Sequence, residues 1–410
     1  PIAACHIITS PYIGSFTSDE AGRFRFQIDG DKNQKVQFTL EHISYEKLEV
    51  ELDLSSALLK DNKGPLKFEM KRYSYELEVV DVLSERLPEL VYSSAQHSIA
   101  DYEFLGERVL LLAYEKRLEK ASKLLLMDAD MRCIDSLILP SSVRATRLYR
   151  DYSERVFLET KNKVFAVESS GEGLRIFPVD MEVYQEQIVP VVDRIGDRYY
   201  FSTWIDRFPA FDYYAYNSEA EDYEHIKQIV DQEMLTMCRA EYKYLTTRDK
   251  LKMFRLELET GFEKEVLTCM GVFEDGLYYD EVYAPMFSWK DRLYLFDHPS
   301  DQLYVMDAMG AKLDSVPIDY HQRLKVMSNH FSEQVLKDEG TGEFYALFQK
   351  PGGKCQLQRV DILTGRVDHI KTLHYDYPSS IQVRNKEVFY TYRPFESLQK
   401  KYLYKEGIED

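Results

Sequence analysis

The chain has 410 residues, with 70 acidic against 52 basic side chains and a formal net charge of -18. Proteins that bind nucleic acid or an anionic membrane need clustered Lys and Arg, so this charge argues against both partners. No run of about 18 or more apolar residues occurs, so no helix is predicted to span a membrane.

Aromatic residues are frequent. There are 31 Tyr and 22 Phe but only 18 Gly, a balance that favours half-buried strands over helices or disorder. Five cysteines are spread along the chain without a CxxC pair, so neither a zinc site nor a disulfide framework is predicted. We expect mostly buried thiols at these positions, which are Cys5, Cys133, Cys238, Cys269 and Cys355.

Residues 1–84 alternate apolar and polar side chains, which predicts a small β-sandwich with one buried face per strand. The alternating apolar positions are Phe24, Phe26 and Ile28; Val36, Phe38 and Leu40; Leu48, Val50 and Leu52; Leu66, Phe68 and Met70; and Leu77 and Val79. Polar turns such as Asp29-Gly30-Asp31 separate these segments. The first domain is therefore expected to be all-β.

This domain also contains five short phrases: Pro1-Ile2-Ala3, Gly14-Ser15-Phe16-Thr17, Gly22-Arg23-Phe24-Arg25-Phe26, Ile43-Ser44-Tyr45-Glu46 and Tyr75-Glu76-Leu77-Glu78-Val79-Val80. Together they resemble the carboxypeptidase regulatory-like domain, a transthyretin-type sandwich of Bacteroidetes envelope proteins. The family has a strand before the position of Pro1, so we expect the first strand to be missing from this sequence. It also has Gly where His42 to Tyr45 lie here. The resemblance implies an accessory domain without catalysis, either a spacer or a docking surface for an envelope partner.

The start of the chain offers a second comparison. Ile2-Ala3-Ala4-Cys5 is similar to the end of a lipoprotein signal, in which the cysteine is acylated. The apolar run that precedes such a cysteine is absent from the sequence, so we expect a strand through Cys5 instead of a lipid anchor.

The second domain, residues 85–410, contains six copies of a strand pair. The first strands of the copies begin at Arg108-Val109-Leu110, Arg155-Val156-Phe157, Arg198-Tyr199-Tyr200, Arg292-Leu293-Tyr294, Glu343-Phe344-Tyr345 and Glu387-Val388-Phe389. Most of the intervals are close to the repeat of roughly 40 to 50 residues that is typical of β-propeller blades, and one is about twice as long. The sequence therefore predicts an all-β fold with a propeller.

The long interval contains a segment with helical periodicity. Residues 219–270 include no proline, and their apolar side chains recur at three- and four-residue steps, for example at Phe254, Leu258 and Phe262. We favour six blades with a helical insertion at about 231–272. The alternative is seven blades, since Tyr242 to Leu245 and Met253 to Leu258 can also be drawn as strands.

Closure of the ring needs a strand from elsewhere, because little sequence follows the strand at Tyr402 to Tyr404 in the last copy. Pro88 to Tyr92, just before the first blade, is placed to supply that outer strand. Such an exchange removes the open seam of a ring of blades.

Four phrases of the propeller domain support a further resemblance: Asp101-Tyr102-Glu103-Phe104-Leu105, Tyr283-Ala284-Pro285-Met286-Phe287, Asp307-Ala308-Met309-Gly310 and Asp361-Ile362-Leu363-Thr364-Gly365. They resemble six-bladed propeller proteins of unknown function from gut Bacteroidetes. The resemblance implies a periplasmic or envelope protein that is exported by a signal sequence not present in this chain.

The densest aromatic and charged segment is a hairpin turn of the third blade. Its residues Trp204, Asp206, Arg207, Phe208 and Phe211 are predicted to bind a ligand, with Trp204 stacking on a sugar ring and the charges holding its hydroxyls. The alternative is an ordinary hairpin whose aromatic side chains pack against the helical insertion.

Asp297 and His298 lie at the equivalent turn of the next blade and, with Asp206, are the candidates for acid-base catalysis. Hairpin turns favour Asp, Pro and Ser without any catalysis, which is the alternative. His321 and His330 are expected to be surface residues. The requirement for catalysis is that the candidate side chains converge on the central channel of the propeller.

No G-x-S-x-G elbow occurs, and Gly352-Gly353-Lys354 is a turn without the context of a phosphate loop. No metal or cofactor is predicted. We therefore expect a non-enzymatic envelope protein that binds or scaffolds, presenting a propeller face to an envelope protein or to a saccharide or peptide ligand. The alternative is a propeller enzyme, a hydrolase or lyase, that acts on a saccharide or peptide.

Overall fold

The computed structural model describes residues 2–10, 15–25, 35–42, 45–53, 66–71, 87–120, 122–170, 173–205, 208–272, 281–322, 329–397 and 399–408. The chain divides into two compact units, Pro1–Glu85 and Arg86–Asp410. Within the described ranges there are seven four-stranded sheets, one in the first unit and six in the second.

The first unit has one antiparallel sheet, in the strand order Ser15–Thr17, His6–Ser10, Lys35–His42, Tyr45–Asp53. Alternation in the third and fourth strands buries Val36, Phe38 and Leu40 on one face, together with Cys5 and Ile7. The strands predicted around Phe38 and Val50 are thus confirmed. The burial of Cys5, at 4% exposure, agrees with a core residue.

Two other strands predicted in this unit are not confirmed. Residues 66–71 have no regular secondary structure, although the ring of Phe68 packs 6.1 Å from that of Phe38 and 6.0 Å from that of Phe24. The apolar residues there pack against the sheet, but the segment is not one of its strands. The strand predicted at Leu77 and Val79 lies outside the described residues, and the transthyretin-type assignment stays a prediction.

The second unit contains six described antiparallel sheets, here called blades I to VI; blades I to V are meanders, and blade VI takes its outer strand from the start of the unit. The strands of blades I to III are Ser98–Leu105, Arg108–Tyr114, Ser122–Met127, Cys133–Ile138; Ala145–Arg150, Val156–Thr160, Val164–Ser170, Gly173–Val179; and Val191–Ile195, Arg198–Ser202, Ala210–Asn217, Asp222–Val230. Those of blades IV to VI are Met286–Trp289, Arg292–Asp297, Gln302–Asp307, Lys312–Pro317; His330–Lys337, Phe344–Gln349, Lys354–Val360, Val367–Asp376; and Ser379–Arg384, Glu387–Tyr392, Tyr402–Gly407, Glu89–Tyr92. A short helical segment, Met181–Val183 followed by the π-helical turn Tyr184–Ile188, joins blades II and III.

The helical insertion follows blade III as predicted and comprises Gln232–Tyr242, Thr247–Thr260 and Lys264–Val272. The Asp231 carboxylate caps the first helix by accepting the N–H of Met234 at 2.8 Å. Gly261, with a φ of +77°, ends the second helix in the left-handed conformation that favours glycine. Of the segments drawn as strands in the seven-bladed alternative, Met253 to Leu258 is helical and Tyr242 to Leu245 is the end of a helix followed by a turn, so the described blades number six.

The cysteines differ from expectation at two positions. Cys238, in the first insertion helix, is disulfide-bonded rather than a free thiol. Cys133 is free but exposed, whereas Cys5 and Cys355 are free and buried.

The predicted ring closure is confirmed. Glu89–Tyr92 pairs antiparallel with Tyr402–Gly407, with Lys405 opposite Glu89, Tyr404 opposite Leu90 and Leu403 opposite Tyr92. Between these pairs Val91 enters the core shared by blades VI and I, where it is 7% exposed. The last blade therefore has no unpaired outer edge at Tyr402–Gly407.

Buried side chains also tie neighbouring blades by hydrogen bonds. The Tyr102 hydroxyl of blade I donates to the Ser380 carbonyl of blade VI at 2.8 Å. The Asp338 carboxylate, fully buried after the first strand of blade V, accepts the N–H groups of Asn385 and Lys386 of blade VI at 2.7 and 2.8 Å. These bonds fix the angle between blades, since a buried donor or acceptor without its partner is unfavourable.

An aspartate introduced into the closing strand Glu89–Tyr92 tests how much this strand contributes to the stability of the propeller. Val91→Asp would bury a carboxylate in the core between blades VI and I, so we expect the free energy of unfolding to fall by about 3 kcal/mol or more. Leu90→Asp is the matched control, because Leu90 is 47% exposed on the same strand. Urea unfolding followed by tryptophan fluorescence measures both. Equal losses for the two variants would contradict the described pairing.

Candidate functional site

A cavity of about 590 Å³ lies where the first strands of the blades meet. Its wall combines residues of blades I, II, IV, V and VI, so it is the central channel of the propeller. The lining residues used below are Asp101, Glu103, Arg150, Ser332, Gln334, Lys337, Cys355 and Gln382. The volume is within the range of about 300–1,000 Å³ that is usual for small-molecule sites.

Irregular first strands shape this wall. The pairing register shifts between Phe331 and Val335 in blade V and between Ser379 and Gln382 in blade VI. Within these bulges Glu333 and Ser380 have left-handed φ values of 53° and 52°. Bulges re-aim side chains, and residues in sparsely populated conformations cluster at ligand sites. The two adjacent bulges therefore mark this side of the channel as the candidate site.

Glu103 and Arg150 form the charged centre of the cavity. The Glu103 Oε2 lies 3.6 Å from the Arg150 Nε, and the two side chains are 16% and 21% exposed. The Gln382 Nε2 donates to the same oxygen at 3.4 Å, which is a weak contact, and to the Tyr102 carbonyl at 3.2 Å. The Glu103 carboxyl thus has neighbours on one side and the cavity on the other.

Burial raises the pKa of Glu103 to about 7. The carboxylate of Asp101 adds to this rise, while Arg150 and the hydrogen bond from Gln382 oppose it. Near neutral pH Glu103 therefore exists in both protonation states, so that it can donate or accept a hydrogen bond.

Asp101 has a structural role by comparison. Its Oδ2 accepts the N–H of Leu148 in blade II at 3.0 Å, and its Oδ1 accepts the N–H of Tyr102 at 3.0 Å. Burial raises the pKa of Asp101, and these two N–H donors oppose the rise. Both oxygens are engaged, so this carboxylate orients the wall.

Two other lining groups have hydrogen-bonding capacity that the described residues do not use. Arg150 donates no hydrogen bond within the described parts of the chain; its nearest acceptors are Glu103 at 3.6 Å and Glu154 at 3.8 Å. The Ser332 Oγ is buried and has no hydrogen-bond partner among those parts. Lys337, in contrast, donates to the Ser288 carbonyl at 3.1 Å and pairs with Glu339 at 2.9 Å.

The described ligand candidates of blade III, which are Trp204, Phe208 and Phe211, are not among the residues that line this cavity. Phe211 is 5% exposed in the core between blades III and IV. The Phe208 ring lies 4.7 Å from that of Phe262 in the insertion, which is the packing described by the alternative interpretation. Trp204 is 43% exposed and stays a prediction, whereas Asp206 and Arg207 lie outside the described residues.

The predicted catalytic residues Asp297 and His298 do not reach the channel either. His298 is 7% exposed, and its two ring nitrogens lie 2.9 Å from the Tyr283 carbonyl and the Tyr320 hydroxyl. Burial lowers its pKa to about 3, so the imidazole is neutral, donating to Tyr283 and accepting from Tyr320. Asp297 is fully buried, 3.7 Å from the Lys227 Nζ, and burial raises its pKa. Their neighbourhood is a packed core rather than a substrate site.

Two expected surface histidines are half-buried instead. The His321 Nε2 lies 2.9 Å from the Asp301 carboxylate, and its side chain is 15% exposed. His330 begins the first strand of blade V instead of lying in a loop.

Sequence reasoning missed the channel residues. Asp101 and Glu103 belong to a phrase that carries the family resemblance, and they also alternate with the buried Tyr102 and Phe104 on one strand. Acidic residues that alternate with core residues on the innermost strand of a blade are candidates for the channel wall. The sequence therefore contains a signal for Asp101 and Glu103. It contains none for Arg150, which comes from another blade.

The comparisons with known proteins give no family. No family model matches the chain, and no curated protein matches it. Solved structures that are similar include a streptogramin B lyase, at 9% identity and a TM-score of 0.31, which covers 78% of this chain and 86% of its own. The propeller domain of the Trilobed protease from Pyrococcus furiosus has 10% identity and a TM-score of 0.32, covering 93% and 96%.

A puromycin hydrolase is also similar, with 9% identity and a TM-score of 0.37, and the match covers 73% of this chain but 50% of that chain. Similarity at this level carries no argument about activity. The β-propeller fold of this chain is established by its own strand pairing.

The pH dependence of stability tests the environment of Glu103. Because the folded state keeps this proton up to about pH 7 and the unfolded state releases it near pH 4.5, stability falls as the pH rises through this window. Glu103→Gln should remove a pH-dependent loss of up to about 3 kcal/mol between pH 4.5 and pH 8.

Urea unfolding at a series of pH values measures this difference. Glu119→Gln is the control, since Glu119 is exposed. Parallel stability curves for the wild type and Glu103→Gln would show that the carboxyl has an ordinary pKa.

Proposed function

We propose that this protein is a non-enzymatic binding protein of the cell envelope, whose propeller channel takes a small polar ligand. The observation that carries the proposal is the cavity itself, in which Glu103, Arg150 and Ser332 present polar groups without strong partners among the described residues. Buried polar groups normally have hydrogen-bond partners. A ligand that supplies the missing bonds would be favoured at this position.

Binding is favoured over catalysis by the chemistry of the lining. No histidine is among the described residues of the cavity wall. The thiol there, Cys355, is 5% exposed, and burial raises its pKa to about 11, so it is protonated at neutral pH. An activated nucleophile with an adjacent base is therefore not formed by these side chains.

The disulfide at Cys238 supports the envelope part of the proposal. Disulfides persist in oxidising compartments such as the bacterial periplasm and are rare in the cytosol. The resemblance to exported Bacteroidetes proteins points to the same compartment. No helix in the described part of the chain is long and apolar enough to cross a membrane.

A second candidate function is supported by Glu103. A carboxyl with a pKa near 7 in a cavity is suited to general acid-base catalysis, so a hydrolase or lyase acting on a saccharide or peptide is the alternative. Mass spectrometry of a bound saccharide or peptide after incubation with the protein distinguishes the enzymatic function from the binding function. Conversion by the wild type, with binding but no conversion by Glu103→Gln, would replace the binding function with the enzymatic one.

A ligand screen tests the proposal. The probes are a panel of monosaccharides, uronic acids, amino acids and short peptides, and the measurement is the shift in melting temperature. Ligand at one hundred times its Kd stabilises a protein by about 2.7 kcal/mol, which gives a measurable shift. We expect at least one class of probe to stabilise the wild type.

The control variants place the binding site. Gln334→Trp fills part of the cavity and should abolish the shift, whereas Gln96→Trp, an exposed position outside the cavity, should preserve it. A shift that survives Gln334→Trp would place the ligand elsewhere and contradict the proposal.

A further inference from the structure

We propose that the channel ligand carries a carboxylate and, on the adjacent carbon or the one beyond it, a hydrogen-bond donor, with Arg150 holding the carboxylate and Glu103 accepting from the donor. This inference rests on the proposed function and names the chemistry of its ligand. In 2-hydroxy acids and 2-amino acids the donor is on the adjacent carbon, and in the ring form of a uronic acid the nearest hydroxyl is on the carbon beyond it.

The argument begins with Arg150. A guanidinium has five N–H donors in a planar fork that matches both oxygens of a carboxylate. Arg150 is 21% exposed at the wall of the channel, and both nearby carboxylates are beyond hydrogen-bond distance, at 3.6 and 3.8 Å. The Asp101 oxygens are engaged by the backbone of Leu148 and Tyr102. The fork is therefore free, within the described residues, to take a ligand carboxylate.

The charged side chains that line the channel also favour a ligand with an anionic group. The ion pairs of Arg150 with Glu103 and Glu154 are long, at 3.6 and 3.8 Å, and a neutral ligand would leave this partly buried cation without a closer counterion. Lys337, the other cation of the lining, has its counterion in Glu339 at 2.9 Å. Arg150 is thus the cation for which, among the described lining residues, an anionic ligand group would improve the pairing most.

Glu103 supplies the second half of the site. Its Oε2 lies 3.6 Å from the Arg150 Nε, so an acceptor and a set of donors stand side by side. Its only described hydrogen bond to a side chain is the long one from Gln382, at 3.4 Å. In a 2-hydroxy or 2-amino acid the hydroxyl or ammonium lies next to the carboxylate. Such a ligand can therefore meet both side chains at once.

Calorimetric titration with two matched pairs of probes tests this. Galacturonate and galactose share a ring and differ in the carboxylate, and alanine and alaninamide differ in the same way. The wild type should bind galacturonate or alanine about tenfold or more tightly than the partner that lacks the carboxylate. The pair that shows the preference identifies the source of the carboxylate as a saccharide or an amino acid.

Variants of the two side chains complete the experiment. Arg150→Met should remove the preference for the acid, Glu103→Gln should weaken binding of both acids, and Arg248→Met, at an exposed position on the second insertion helix, should change neither. If circular dichroism shows that Arg150→Met does not fold, Arg150→Lys keeps the charge without the fork and should still lose most of the preference.

Each result decides between the inference and its rivals. Equal binding of the two members in both pairs, or a preference that survives Arg150→Met, overturns the inference. Binding of a neutral probe that Gln334→Trp abolishes would overturn it while leaving the proposed function intact. Absence of binding by every probe of the wider panel would remove the proposed function as well.

Discussion

The structure depends on one backbone pairing, between Glu89–Tyr92 and Tyr402–Gly407. A ring of blades that ended at Tyr402–Gly407 would expose the unpaired N–H and C=O groups of a strand edge. The closing strand satisfies these groups, and Val91 brings the core of blade VI into contact with Tyr102 and Phe104 of blade I. Because the ring is closed, the first strands of its blades are held around a common axis, and the channel keeps its width.

The same seam organises the candidate site. The Tyr102 hydroxyl reaches across it to the Ser380 carbonyl, within the bulge of blade VI, and the Gln382 amide reaches back to the Tyr102 carbonyl. On the other side of blade I, Asp101 joins Leu148 of blade II. These bonds immobilise the strands that carry Glu103 and Arg150, which is the condition for a preorganised site. The two acids on this strand therefore have different roles. Asp101 stabilises the wall, and Glu103 faces the cavity.

The architecture was predictable from the sequence because its signals are local. Repeating strand pairs predict the blades, and the absence of proline with apolar residues at three- and four-residue steps predicts the insertion. Even the closing strand follows from counting, since the last copy lacks an outer strand. Apolar alternation was less reliable at Phe68 and Met70, whose side chains pack against a sheet without joining it.

The site was predictable only in part, because it is assembled from distant segments. Glu103 and Gln382 are brought together by ring closure, and no pattern around either residue indicates the other. His298 lies in a turn, as the sequence predicts, but its burial could not be predicted, because Tyr283 and Tyr320, remote in sequence, occupy both of its nitrogens. The bulges that re-aim the wall are also invisible in the sequence, because they depend on the pairing register.

The most direct test of the account is a crystal structure with ordered solvent, determined after soaking with galacturonate and, separately, with alanine. The account predicts density in the channel for one of them, with carboxylate oxygens within about 3.2 Å of the Arg150 guanidinium and a donor group at Glu103. An empty channel in which Arg150 and Glu103 close onto each other, with the ligand absent or bound on the outer surface, would contradict it.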